Sequence, residues 1–266
     1  MHNLDEKIIS LPLEGVKTTI VNYTYDSFEL NTLLVLLSEK RRIFSTCEGY
    51  KEVNCIGNMY INGELSERER IKFENGVNVN FQLELMKNLA RFLNLSFEDS
   101  AFLTTAVTME HAAVCEKSFE EFKVICLATA GVKNNALRMG ADGGDWVERK
   151  GVYQNVLGTI NIILLTNVNL TDGAMARAVI TATEAKTAAL QDFDVRSTLT
   201  PKKQATGTGT DDVIIVSGPK IGEPIQCTKG HTKMGELIAA STKNAVAEAM
   251  KKHDRSLALR ALLRKY

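Results

Sequence analysis

Apolar residues in the first part of the chain fall in short runs of β-branched and aromatic side chains, and later ones recur at longer, helical spacing. Residues 17–23, 32–37 and 42–47 read as strands, with Ser38-Glu39-Lys40 as a turn, which predicts an antiparallel opening. Between 80 and 95, Phe81, Leu85, Leu89, Phe92 and Leu93 repeat every three or four positions, so this helix should lay one face on a sheet. Strands are predicted over 102–107, 122–130, 160–165 and 213–217, and helices over 172–190 and 232–252. The stretch 131–151, with Gly140, Gly143, Gly144 and the lone Trp146, suits a surface loop without a domain boundary. Hairpin-like strands followed by alternating strands and helices predict a single α/β domain over 1–266, a mixed sheet covered by helices. Two stacked sheets with helices outside are the rival arrangement. The tail 253–266 reads as an added amphipathic helix with Leu257, Leu259, Leu262 and Leu263 on its packing side.

Charge narrows the partners. Lys plus Arg and Asp plus Glu are balanced at 32 each, so no global field steers the chain to nucleic acid or an anionic membrane, and a small or neutral molecule is the expected partner. The start, MHNLDEKIIS, has no basic stretch leading into an apolar segment, and no run approaches the ~20 apolar residues of a membrane span; a cytoplasmic protein is expected. Cys47, Cys55, Cys115, Cys126 and Cys227 are odd in number and widely spaced, which predicts reduced, mostly buried thiols. His2, His111, His231 and His253 offer no metal-ligand spacing, so no cofactor is predicted, and metal dependence and a homo-oligomer stay open. The common nucleotide, hydride and hydrolase motifs are absent.

Candidate chemistry concentrates between 158 and 218. The segment QATGTGTDDVIIVSG alternates Thr206, Thr208 and Thr210 with Gly207 and Gly209, placing three hydroxyls on a backbone able to approach a bound molecule closely. Asp211 and Asp212 follow. In the preceding helix Lys186 projects into an apolar stripe of Met175, Ala178, Val179, Ala182 and Ala189, which requires pairing, a ligand or an escape to water; a last-turn lysine complementing the helix dipole is the plain alternative. Glu184 and Arg177 share the opposite face, where a solvated charge is the default, though the scarcity of other charges suggests that both faces are covered. In GHTKMGELI, Thr232 can cap a helix whose free N–H groups suit an oxyanion, beside His231, which is either a proton carrier or an ordinary loop histidine.

Taken together, TINIILLTNVNLTDGAMARAVITATEAKTAAL, QATGTGTDDVIIVSG, GHTKMGELI, LATAGVKNNALRMG and KRRIFSTCEGYKEVN resemble the adenosylcobinamide amidohydrolases, corrinoid-salvage enzymes of archaea and some bacteria. The likeness runs over about residues 20–250. It implies that water cleaves the amide joining the aminopropanol arm to the corrin ring, giving adenosylcobyric acid and 1-aminopropan-2-ol. By the matching blocks, Asn134, Asn135, Asn167, Asp172, Glu184, Lys186, Thr206, Thr208, Thr210, Asp211, His231 and Thr232 inherit interest, with Gly207 and Gly209 in the loop. A neutral site rich in hydroxyls and amides suits a macrocycle fringed with carboxamides.

Amide hydrolysis needs an activated water or nucleophile, donors for the oxyanion and an acid for the leaving amine. The candidates are Asp211 or Glu184 as base, Thr208 or Thr210 as orienter or nucleophile, Lys186 or the Thr232 backbone as oxyanion donor, and His231 as acid. Neighbouring side chains in an extended segment point to opposite faces, so only one of Asp211 and Asp212 should reach the site, and Asp211 is the expected one. A corrinoid carrier without catalysis, and an amidase or acyltransferase for another amide, are the alternative functions.

Overall fold

The computed structural model describes residues 1–72, 79–144, 147, 158–255 and 257. Trp146 and most of the predicted terminal helix lie outside them. In chain order the elements are β1 (His2–Ile9), β2 (Val16–Tyr25), β3 (Phe28–Ser45), β4 (Gly49–Tyr60), α1 (Gly63–Lys72), α2 (Val79–Phe92), β5 (Ser100–Thr105), β6 (Ala113–Phe119), β7 (Phe122–Ala130), β8 (Ala136–Leu137), β9 (Ile160–Thr166), α3 (Asp172–Asp192), β10 (Gly207–Thr208), β11 (Asp212–Val216) and α4 (Lys233–His253).

Nine strands form one mixed sheet along the path β1-β2-β3-β11-β9-β7-β6, with β4 and β5 branching from the other edge of β3; β8 and β10 form a second, two-stranded sheet. The fold is therefore mixed α/β, and the two arrangements expected from sequence meet in it: a single sheet curls until its halves face one another. The strand that makes this geometry is β3. Its first part pairs with β2 through residues 28–37 and its last three residues pair with β11, while β4 runs along it with a register shift between Leu36 and Arg41. The predicted turn at Ser38-Glu39-Lys40 is thus no turn. These three residues are exposed within a continuous strand, where the irregular pairing with β4 falls.

Three apolar clusters divide the layers. One packs Val124, Cys126, Ile160, Ile162, Val213 and Ile215 against α3 and α4. The second lies between the sheet halves, with Ile125, Leu127, Ile163, Ile214 and Val216 facing Leu33, Val35, Ile43, Val53, Ile56 and Leu103. A third places Leu65 of α1 and Phe81, Leu85 and Leu89 of α2 on the outer face of β2 to β5. β9 is hydrophobic at nearly every position because both its faces are covered. The far face of α3 is not covered: Ile180 is 46% exposed, and Arg177 and Glu184 are exposed beside it, contrary to the reading of a helix buried all round. Of the five cysteines, all free, only Cys55 and Cys126 are buried.

Candidate functional site

Thr171 caps α3 by accepting from the Ala174 N–H at 3.2 Å, and the helix then runs back along the sheet. Lys186, fourteen residues beyond Asp172, is carried about 21 Å along the axis, to the end of the sheet where β9 and β11 begin. There its ammonium meets the Asp211 carboxylate in a buried pair, with 8% and 12% of the two side chains exposed. Burial decides between the readings of Lys186: it is neither snorkelling nor merely complementing the helix dipole. Asp211 accepts from three further donors, the Thr208 hydroxyl, the Thr208 N–H at 2.9 Å and the Ile160 N–H at 3.0 Å. A carboxylate offers about four acceptor positions, and all are taken.

The two loop glycines follow from this knot. A Cβ on Gly207 would lie 2.3 Å from Asp211 Oδ2 and 2.6 Å from Lys186 Nζ, and one on Gly209 would lie 2.9 Å from Asn135 Oδ1. Asn135, itself buried, donates to the Gly158 carbonyl at 2.8 Å and to Thr210 Oγ1 at 3.3 Å, while its own carbonyl accepts from Gly209 N–H at 3.2 Å. Thr210 donates to the Gly158 carbonyl at 2.9 Å, and Thr159 donates to the Thr210 carbonyl. Thr206 instead faces β8, donating weakly to Leu137 O and accepting from Met139 N–H.

In front of this knot, between the start of β11 and the β3–β4 turn, a cleft of about 790 Å³ opens. Thr159, Gly209, Thr210, Asp211 and Asp212 form one wall, and Cys47, Glu48, Lys51, Thr104 and Thr105 contribute to the rest. Asp212 accepts from the Thr46 hydroxyl at 2.7 Å. Cys47 reaches the surface at the rim, yet its thiol lies deep enough that burial, reinforced by the adjacent Asp212 carboxylate, pushes it well above its ordinary value and keeps it protonated. Lys51 donates to Glu48 at 2.8 Å and to the Ser100 carbonyl at 2.6 Å. Beneath the cleft a buried polar chain leads inward: Asn161 donates to Asn58 at 2.8 Å, and Asn58 to Thr129 at 3.0 Å. Asn161 interrupts the otherwise apolar β9, and that interruption was the available signal for it; Asn58 had none, because β4 also carries Lys51, Glu52 and Asn54. Glu48 and Lys51 had none. Among the described residues no group of three or more His, Cys, Asp or Glu is placed to hold a metal ion, and no helix is long and apolar enough to cross a membrane.

The structure brings Asn135, Lys186, Gly207, Thr208, Gly209, Thr210 and Asp211 together and leaves the other candidates apart. Glu184 is on the exposed face of α3, one residue out of phase with the buried Ala185 and Lys186, so it faces away from Asp211. Asn134 is exposed where its neighbour Asn135 is buried. Asn167 lies beyond the opposite end of β9, roughly 20 Å of strand from Ile160, and closes the β6–β7 hairpin by bonding Lys123 N–H and the Glu121 carbonyl. Asp172 is at that end too, in a two-bond ion pair with Arg42 that holds its carboxyl below the usual range. Thr232 caps α4 there, and Lys233 stands over the ring of Phe119 at the same hairpin, so the exposed His231 is also remote from Asp211. The acid and oxyanion-donor roles foreseen for His231 and Thr232 therefore have no geometric support. Sequence order put them near the loop; β11 carries the chain from the loop to the opposite end of the sheet before they occur.

A model of the adenosylcobinamide amidohydrolase family matches residues 16–258. An uncharacterized protein of Methanocaldococcus jannaschii is 42% identical over 237 residues, 85% of this chain and 88% of that protein. Adenosylcobinamide amidohydrolases of Halobacterium salinarum and Methanosarcina mazei are 30% and 33% identical, over 59% and 51% of this chain and 61% and 58% of their own lengths. The chain thus aligns with about three-fifths of each of those two enzymes.

Proposed function

The chain belongs to the adenosylcobinamide amidohydrolase family, and from that membership we propose that it hydrolyses the amide linking aminopropanol to the corrin ring of adenosylcobinamide, releasing adenosylcobyric acid and 1-aminopropan-2-ol in the cytoplasm. The observation that carries this reading is the convergence of four separate stretches of the matched region: Asn135 and Lys186 tie down, from behind, the cleft wall formed by Gly158, Thr159 and residues 209–212. Hydroxyls of Thr104, Thr105, Thr159 and Thr210 suit the carboxamide fringe of a corrin and the apolar Leu83, Met86 and Phe97 its ring, and the buried ion pair neutralises itself rather than presenting a charge to the ligand.

In this reading the Lys186–Asp211 pair makes the loop rigid, so that Thr210 and its neighbours hold one position as substrate enters. The reaction adds one water across the amide: its oxygen joins the acyl carbon, the C–N bond breaks, and its protons end on the amine and the new acid. Incubating the purified protein with adenosylcobinamide and separating the corrinoids tests this. Adenosylcobyric acid and free aminopropanol are the expected products; cobinamide bound tightly and recovered intact identifies a carrier instead.

A further inference from the structure

We propose that Asp212, not Asp211, is the general base of this cleft, an assignment that rests on the hydrolase reading above. The strand geometry makes the choice. In β11 the side chains of Val213 and Ile215 join the cluster under α3 and α4, whereas Ile214 and Val216 join the cluster between the sheet halves. Continuing that alternation backwards sends Asp211 to the helices, where Lys186 waits, and Asp212 to the opposite face, where the cleft opens.

The hydrogen bonds agree. Asp211 receives four donors and has no acceptor position left for a water. Asp212 receives the Thr46 hydroxyl on Oδ1 and is approached by the protonated Cys47 thiol, both uncharged donors. Thr46 is fixed by β11 itself: its hydroxyl accepts from Val213 N–H at 3.0 Å, so its own proton is directed at Asp212, and its N–H donates to the Val213 carbonyl at 3.0 Å. Thr46 is thus a positioning residue that sets the carboxylate while leaving acceptor positions open to the cleft, which Thr159 and Thr210 also line.

The step balances with water alone. Asp212 takes a proton from water as the water oxygen bonds to the amide carbon. The tetrahedral intermediate then collapses, the C–N electron pair leaves with nitrogen, and the proton held on Asp212 passes to that nitrogen.

The test compares wild type, Asp212→Asn and Asp212→Ser for aminopropanol release, for cobinamide affinity by corrinoid absorbance, and for thermal midpoint. Turnover should fall about 100-fold or more in both variants, with affinity within about threefold and an unchanged midpoint, and the acidic limb of the kcat/KM profile should disappear. Turnover above a tenth of wild type in either folded variant overturns the assignment of Asp212 alone. A loss of turnover that merely follows a lower midpoint in both variants also overturns it, since a carboxylate that only ties the β3–β4 turn through Thr46 would behave that way. A wild type that releases no amine removes the hydrolase reading, and Asp212 as its base with it.

Discussion

Behind the start of β11 a lysine, an aspartate, a threonine and two backbone N–H groups consume one another's hydrogen-bonding capacity; in front of it, one residue further on, an aspartate with two uncharged partners borders an open cleft. The two regions share a strand and differ by a single step of its pleat. What separates them is satisfaction: a buried charge persists only when fully partnered, and full partnering removes it from chemistry. The residues that look most reactive in sequence are therefore those most committed to structure.

The largest expected effect comes from opening the knot. Lys186→Met leaves the Asp211 carboxylate buried without its cation, and the loss should be about 3–5 kcal/mol of stability, read as a large drop in denaturant midpoint at unchanged slope. Asp211→Asn should likewise lower stability and turnover together, whereas the variants of Asp212 lower turnover alone; equal behaviour of the two aspartates would erase the contrast.

Asn135 connects knot and cleft. Asn135→Ala removes the donor to the Gly158 carbonyl and to Thr210, and should cost about 1–3 kcal/mol in urea unfolding while raising KM through a loosened Thr210. Gly207→Ala should cost about as much, because its Cβ meets the ion pair at 2.3 and 2.6 Å. A Gly207→Ala protein as stable as wild type would show the knot to be looser than described.

Smaller effects test the periphery. His253 ends α4 with its Nδ1 3.4 Å from that of His111, and burial, His111 and Lys133 lower its pKa while Asp254 opposes them. A histidine that binds its proton less well folded than unfolded adds nothing above its ordinary value near 6.5 and favours the unfolded chain as pH falls from there towards its lowered value. The thermal midpoint should therefore decline below about pH 6.5, and His253→Gln should flatten that decline. At the far end, Asp172→Asn breaks an ion pair whose partners are 35% and 50% exposed, so stability should change by no more than about 1 kcal/mol and turnover by less than twofold.

Much of the fold was legible. The predicted helices at 172–190 and 232–252 correspond to Asp172–Asp192 and Lys233–His253, and the strands at 122–130, 160–165 and 213–217 to β7, β9 and β11, because the helices repeat apolar residues at helical spacing and the strands are short, nearly unbroken apolar runs. β1, β6 and the long β4 were missed: seven of the eight residues of β1 are exposed, and β4 carries Lys51, Glu52, Asn54 and Gly57 within it. Part of the candidate site was legible as well, since Lys186 on an apolar stripe demanded a partner and the Thr/Gly loop offered Asp211. Glu48 and Lys51 were not, because nothing local ties the β3–β4 turn to a loop more than 150 residues later.

The sequence by itself determined the elements, the buried lysine's need for a counter-charge and the fact that adjacent aspartates on a strand must face opposite ways. These are local consequences of period and solvation. Only the tertiary structure decided which aspartate faced which side, because that depends on where α3 returns across the sheet and on how far the sheet curls to bring β3 and β4 over the other face. The return of α3 left Asn167 and Asp172 at the end away from the cleft, and β11 then carried the chain back to that end before His231 and Thr232, since each element separates by its own length the residues at its two ends.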